Sequence, residues 1–148
     1  MVPLSGPAMS EQRQFHLIFT SGQSWYAVPA ETAAEVVGLP ELARVPGAPA
    51  HLLGVFAHRG EVIPVVDLAT LVGAKPEKTQ RAVLLRLAKG SLALTANKVA
   101  GVSTLSGKLD PLGGSGVHVY LRGPARAQAN EVAVIDPEGL FEYLSQSA

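Results

Sequence analysis

Residues Leu52–Leu68 constrain the fold more than any other stretch of the chain. They read L-L-G-V-F-A-H-R-G-E-V-I-P-V-V-D-L. Two apolar runs, Leu52–Ala57 and Val62–Val66, are too short for buried helices and rich in β-branched residues, which favours strands. Arg59-Gly60 between them predicts a tight turn, because Gly adopts positive φ without steric cost. The stretch therefore predicts a rigid hairpin with a charged Arg59 at its tip, although an ordinary solvated turn arginine fits the same pattern.

The rest of the chain is predicted to form short strands and a few short helices. Apolar alternation or β-branched runs predict strands at Phe15–Phe19, Trp25–Val28, Arg81–Leu87, Leu92–Ala96, Val117–Leu121 and Val132–Ile135. Short helices are predicted at Ala30–Ala34, Leu68–Val72 and Pro137–Leu144, the last two capped by Asp67 and Asp136. The sequence predicts a turn or short helix over Asn97–Val102 and a loop over Arg122–Asn130.

Features of the first half recur in the second half at a constant spacing. Asp136 follows Asp67 by 69 residues, and Gly123 follows Gly54 by the same 69 residues. Such spaced self-similarity indicates a duplicated unit, the first spanning about residues 15–73 and the second about 81–145. Small barrels suit many short strands, because closure removes exposed edges. We therefore expect a mainly β fold of two similar small barrels, preceded by a flexible leader over residues 1–14.

Composition excludes several classes of function. Lys plus Arg and Asp plus Glu balance at 12 each, which argues against a general nucleic-acid binder, since such proteins need a basic face. There is no Cys, so neither a disulfide framework nor a thiolate metal site is expected. No apolar run approaches the roughly 20 residues that span a bilayer, and the first residues lack the pattern of a secretory signal. We expect a folded cytoplasmic protein.

The sequence shows no motif that is typical of a metal site, a phosphate-binding loop or a catalytic site. None of the four histidines has a partner at metal-ligand spacing; they are His16, His51, His58 and His118. His58 precedes Arg59 and belongs to the residue type that titrates near neutral pH, but a structural role is the simpler interpretation. Gly113–Gly116 lacks the Gly-Lys-Ser/Thr ending of a phosphate-binding loop. These patterns predict a binding module with no cofactor, no metal and no catalytic residue.

The central stretch resembles the signature of the CheW family, the adaptor proteins of bacterial chemotaxis arrays. That signature is Gly-Val, then Asn-Leu-Arg-Gly, then Val-Ile-Pro-Val-Val-Asp-Leu. Here it stands as Gly54-Val55, Ala57-His58-Arg59-Gly60 and residues 62–68. Earlier matching stretches are Tyr26–Pro29, Glu35-Val36 and Arg44–Pro49. The resemblance covers roughly Phe15 to Leu144 and is stronger in the first half.

The resemblance implies a fold, partners and a set of site residues. It implies two small SH3-like five-stranded β-barrel subdomains with swapped segments, short helices and a groove between them. It also implies a non-catalytic adaptor that joins the cytoplasmic tips of methyl-accepting chemoreceptors to the regulatory domain of the histidine kinase CheA, touching the membrane only through receptors. Carried over by position, Glu35 pairs with Arg59, beside Gly60, and the pair shapes the kinase and receptor surface. Val36 faces the kinase. The receptor groove is implied to contain Gly54, Val99 and Val102. For the three valines, plain core packing is the competing interpretation.

Departures from the family pattern leave alternatives open. Ala57-His58 replaces Asn-Leu before Arg59, and Asn97 stands where the second half of the family usually has Asp. One alternative is therefore a divergent CheW-like protein that binds only the receptor side and modulates array assembly or signalling. A less favoured alternative is a β-barrel protein that binds a small molecule between its lobes.

Overall fold

The structure is a computed structural model that describes residues 14–107 and 120–146. Within these ranges the chain forms ten strands, β1 Phe15–Ser21, β2 Ser24–Pro29, β3 Ala33–Gly38, β4 Leu52–His58, β5 Glu61–Val66, β6 Arg81–Leu87, β7 Gly90–Ala96, β8 Lys98–Thr104, β9 Leu121–Ala127 and β10 Asn130–Ile135. The helices are a single 3-10 turn at Ala30–Thr32, α1 at Leu68–Leu71 and α2 at Pro137–Gln146. No helix in these ranges is long and apolar enough to cross a membrane.

The strands form two five-stranded sheets, and each sheet mixes strands from both halves of the chain. The first lobe has the order β8-β1-β2-β10-β9, and the second lobe has the order β3-β6-β7-β5-β4. Each strand of the first half, β1–β5, corresponds in order to one strand of the second half, β6–β10. With this correspondence, the two lobes have the same strand order. In each lobe, the first hairpin of one half is inserted between strands three and five of the other half. The predicted mainly β fold, with two small five-stranded units and swapped segments, is confirmed.

Each sheet curls until its two outer strands approach one another. In the second lobe, Ala43 follows β3 and bridges Val55 of β4, with both N–O distances at 2.9 Å. In the first lobe, Ser106 follows β8 and bridges Arg126 of β9, with N–O distances of 3.0 and 2.8 Å. Because both edges are covered in this way, each lobe closes into a small barrel.

Three apolar clusters hold the molecule together. One fills the first barrel and includes Ile18, Ala125 and Val132, and another fills the second barrel and includes Phe56 and Ile63. The largest cluster lies between the lobes, where strands of both sheets and α2 contribute buried residues such as Phe19, Val28, Leu85, Leu94 and Leu140. Burial of apolar side chains is the main stabilising contribution to such a core, so the two barrels share one folding unit.

The predicted helix caps are present, and one of them links the two lobes. Asp67 accepts a hydrogen bond from the backbone N of Thr70 at 3.1 Å, and Asp136 accepts one from the backbone N of Gly139 at 3.3 Å. The buried Asp67 also accepts from the Thr95 hydroxyl at 2.8 Å. That hydroxyl lies 3.2 Å from Ser21 Oγ on β1, so the network joins β7 of the second lobe to the first lobe.

Three local predictions were wrong. The stretch Asn97–Val102, predicted as a turn or helix, lies mostly in β8, because its alternating residues pair along β1. The stretch Arg122–Asn130, predicted as a loop, lies mostly in β9. Its inward residues are small, so the alternation is weak in hydrophobicity although it is regular in burial. Only the 3-10 turn at Ala30–Thr32 forms in the helix predicted there, since pairing with β6 begins at Ala33. Gly113–Gly116 and most of Val117–Leu121 lie outside the described residues.

Candidate partner-binding site

The turn between β4 and β5 holds Arg59 in an uncommon backbone conformation. Arg59 has a φ of 52° and Gly60 a φ of 81°. Positive φ at both positions is typical of a type I′ turn, whose twist matches that of the flanking strands. The ladder around it is continuous from Val55↔Pro64 to His58↔Glu61. A left-handed conformation is unusual for a non-glycine residue, so the strand pairing fixes Arg59 at the tip, where its side chain is 71% exposed.

Glu35 lies beside this turn although it comes from the opposite edge of the sheet. Its Oε2 is 3.1 Å from His58 Nε2 and 3.7 Å from Arg59 Nη1. His58 is therefore the closer partner, and the separation to Arg59 is longer than a hydrogen bond. The hydrogen bond from His58 is the main cause that lowers the pKa of the Glu35 carboxyl, and the charge of Arg59 contributes less. The structure thus brings together the Glu and Arg indicated by the resemblance, and a histidine contacts the same carboxylate oxygen.

All five strands of the second lobe contribute one polar residue to the same end of the barrel. In strand order these residues are Glu35, Arg86, Ser91, Glu61 and His58, and we call them the charged rim. Glu61 Oε1 accepts from Arg86 Nη1 at 3.1 Å and from Ser91 Oγ at 3.2 Å. Contact between His58 and Glu35 closes the ring. The two carboxylates of the rim, Glu35 and Glu61, lie near arginine side chains. Arg59 itself lies just outside the rim.

Exposed apolar side chains flank the charged rim. Val62, three residues after Arg59, is 67% exposed, and Val36, next to Glu35, is 39% exposed. Val62 stands opposite the exposed Ala57 in the β4–β5 ladder. A single exposed apolar residue is ordinary. An exposed arginine between apolar neighbours, however, is the composition that protein interfaces favour.

The remaining predicted site residues lie elsewhere. Gly54 is buried, and a Cβ there would lie 2.7 Å from the backbone oxygen of Ala43, so its position is set by packing. Val99 packs partly buried against the core between the lobes. Val102 is 58% exposed on β8, an edge strand of the first lobe. The structure therefore joins Glu35, Arg59 and Gly60 in one place and leaves Val99 and Val102 on the other lobe.

An apolar cleft runs between the β4–β5 ladder and α2. Its volume is about 220 Å³, and it is lined mainly by apolar residues that include Leu52, Pro64, Leu92, Phe141 and Leu144. Ligand and active sites usually combine an apolar wall with a few converging polar groups. Among the described residues that line the cleft, His51 alone is ionisable. Among the described residues, no group of acidic and histidine side chains is arranged to hold a metal ion.

Sequence reasoning missed the contact between His58 and Glu35. The two residues are 23 positions apart, and they meet only because β3 and β4 approach across the closed barrel. The departure of His58 from the family pattern was the one available signal, since a titratable residue had replaced an apolar one beside Arg59.

Comparisons with known proteins agree with the fold and the motif. The family model for the CheW-like domain matches residues 16–145. Protein FrzA of Myxococcus xanthus is 30% identical over 142 residues, covering 88% of this chain and 84% of FrzA. A probable chemotaxis protein CheW of Rhizobium etli is 24% identical over 139 residues, covering 89% and 90% of the two chains.

A solved structure shows the same architecture. The scaffolding protein TtCheW from Thermoanaerobacter tengcongensis superposes with a TM-score of 0.70 at 18% identity, covering 82% of this chain and 88% of that one. The family consists of non-catalytic adaptors of chemotaxis-type signalling. Because the family model extends through both lobes, the chain belongs to the CheW-like domain family.

Proposed function

We propose that this adaptor joins methyl-accepting chemoreceptors to the regulatory domain of a CheA-type histidine kinase in the cytoplasm. The observation that carries the proposal is the fixed, exposed Arg59 at the tip of the β4–β5 hairpin. Its backbone is held by the ladder, so little conformational freedom is lost there when a partner binds. An arginine with this exposure and rigidity is suited to anchor a protein interface.

We assign the second lobe to the kinase side. Val36, Glu35, Arg59 and Gly60 lie on or beside β3 and the β4–β5 turn, and Val36 and Arg59 are exposed. An apolar contact at Val36 and a charged contact at Arg59 give one surface both affinity and orientation. Gly60 contributes by allowing the turn that carries Arg59.

We assign the receptor side to the residues nearer the first lobe. Val102 is exposed and Val99 lies against the core between the lobes, so an apolar helical partner fits there better than a charged one. Gly54 acts indirectly, since it is buried and permits the segment at Leu42–Ala43 to approach β4.

A pairwise binding assay tests the proposal. The cytoplasmic tip of a chemoreceptor and the regulatory domain of a CheA-type kinase are titrated separately against the protein. Truncation of an arginine anchor costs about 2 kcal/mol, or roughly 30-fold in Kd, so we expect Arg59→Ala to weaken binding to the kinase domain by that factor. Gln128→Ala is the matched control, because Gln128 occupies the corresponding turn with a φ of 57°. Equal binding by the wild type and Arg59→Ala contradicts the assignment.

A one-partner adaptor is the second candidate. It is favoured by Ala57-His58, which stands directly before Arg59 where the family signature has Asn-Leu. Reconstitution of kinase activity with receptors separates the two candidates. Full receptor-dependent activation of the kinase by this protein rejects the one-partner candidate, and receptor binding without activation supports it.

A further inference from the structure

His58 and Arg59 compete for one oxygen atom of Glu35. Both contacts are made to Oε2, His58 at 3.1 Å and Arg59 at 3.7 Å. Because a carboxylate can only accept, the contacting ring nitrogen of His58 carries the proton and donates. The Arg59 guanidinium is attracted by charge but lies beyond hydrogen-bond distance. The carboxylate of Glu35 is therefore engaged by the histidine first.

The surroundings of His58 leave Glu35 as its partner. The His58 ring is 20% exposed and stands edge-on to Phe56, with 6.0 Å between ring centroids. Its cross-strand neighbour Glu61 is engaged by Arg86 and Ser91. Within the part of the chain that the structure describes, Glu35 on β3 is the hydrogen-bond partner of the His58 imidazole.

We propose that His58 is a positioning residue: by holding the Glu35 carboxylate, it leaves the Arg59 guanidinium directed outward to bind a carboxylate on the partner. Guanidinium groups match carboxylates in a bidentate geometry, so the partner surface is expected to present an Asp or Glu side chain opposite Arg59. The identity of the partner rests on the proposed function, but the contact between His58 and Glu35 does not.

The first experiment needs no partner. The titration of the Glu35 side chain is followed by NMR in the wild type, in His58→Leu and in Arg59→Ala. We expect the pKa of Glu35 to rise more in His58→Leu than in Arg59→Ala, because the imidazole is the closer donor. A larger rise in Arg59→Ala overturns the proposal, as does an equal rise in the two variants.

The second experiment measures partner binding. His58→Leu introduces the residue of the family signature and frees Glu35 to pair with Arg59, so it should bind more weakly than the wild type. His58→Gln keeps a side-chain N–H donor and should recover part of the lost affinity. His51→Gln is the matched control and should bind as the wild type does. Equal binding by the wild type and His58→Leu overturns the proposal. If neither partner binds the wild type, the proposed function fails, while the Glu35 titration still decides the role of His58.

Discussion

The two tight hairpins, β4–β5 in the second lobe and β9–β10 in the first, share a backbone but differ in chemistry. Each has a non-glycine residue in the left-handed region at its turn, Arg59 with a φ of 52° and Gln128 with a φ of 57°. Each also carries a buried glycine with positive φ on its first strand, at Gly54 and Gly123. These paired residues are separated by the same 69 positions. The backbone requirements of the fold have thus been kept in both halves.

The side chains at corresponding positions have not been kept. The register of β3 against β6 shifts between Ala33 and Glu35, and the register of β8 against β1 shifts between Val99 and Gly101. Because of these shifts, Glu35 and Gly101 occupy corresponding positions in the two barrels. By the same registers, the positions of His58 and Arg59 correspond to Ala127 and Gln128. The other members of the charged rim, Arg86, Ser91 and Glu61, correspond to Thr20, Trp25 and Asn130. At these positions the second lobe carries charged side chains and the first lobe does not, which indicates that binding chemistry can diverge between halves that retain one fold.

Glycine substitutions give the largest expected effect and test the shared backbone. In Gly54→Ala the new Cβ would lie 2.7 Å from the Ala43 oxygen, and in Gly123→Ala it would lie 2.8 Å from the Ala125 nitrogen, both at positive φ. We expect each change to lower the free energy of unfolding by about 2–4 kcal/mol, measured by urea denaturation. Gly38→Ala is the control, since its Cβ would meet nothing within 4 Å. If Gly54→Ala alone is destabilising, the two hairpins are not equivalent.

Features with local causes could be predicted from the sequence. Asp67 and Asp136 predict the starts of helices, because a capping residue acts within one helical turn. Arg59-Gly60 predicts a hairpin, because the geometry of a tight turn depends on adjacent residues. Strand β9 was missed because its inward residues, such as Gly123 and Ala125, are too small to produce an apolar signal. The rim was missed for a different reason. His58 and Glu35 meet through closure of a barrel whose strands come from both halves, and no local pattern encodes that closure.

The two helix caps offer a second test, with a smaller expected effect. Asp67 accepts from Thr70 and from the buried Thr95 hydroxyl, whereas the position that corresponds to Thr95 in the first lobe is Pro29, which has no hydroxyl. We expect Asp136→Ala to cost about 1 kcal/mol as a lost cap. Asp67→Ala should cost about 2–3 kcal/mol, because the buried Thr95 hydroxyl also loses the carboxylate to which it donates.

Urea denaturation of the two alanine variants measures this difference. Asp67→Asn serves as the control, since it keeps an oxygen that can accept the cap hydrogen bond and should recover part of the loss. Equal costs for Asp67→Ala and Asp136→Ala would mean that the contact with Thr95 adds nothing to the cap.

His16 provides the smallest expected effect, and it again separates the lobes, since the corresponding residue of the second lobe is Ala82. His16 is buried, and burial lowers its pKa from the ordinary value of 6.5. Between the ordinary pKa of 6.5 and the lowered pKa of the native protein, the unfolded chain binds more protons than the native protein does. The free energy of unfolding therefore decreases as the pH falls through this interval. One proton gives a slope of at most about 1.4 kcal/mol per pH unit.

Urea denaturation between pH 7 and pH 5 should show a shallower decline in the stability of His16→Leu than in that of the wild type. His51→Gln should retain the larger part of the decline, because His51 is less buried and its pKa is also lowered by burial. An unchanged slope in His16→Leu would show that the acid sensitivity of the first lobe has another source.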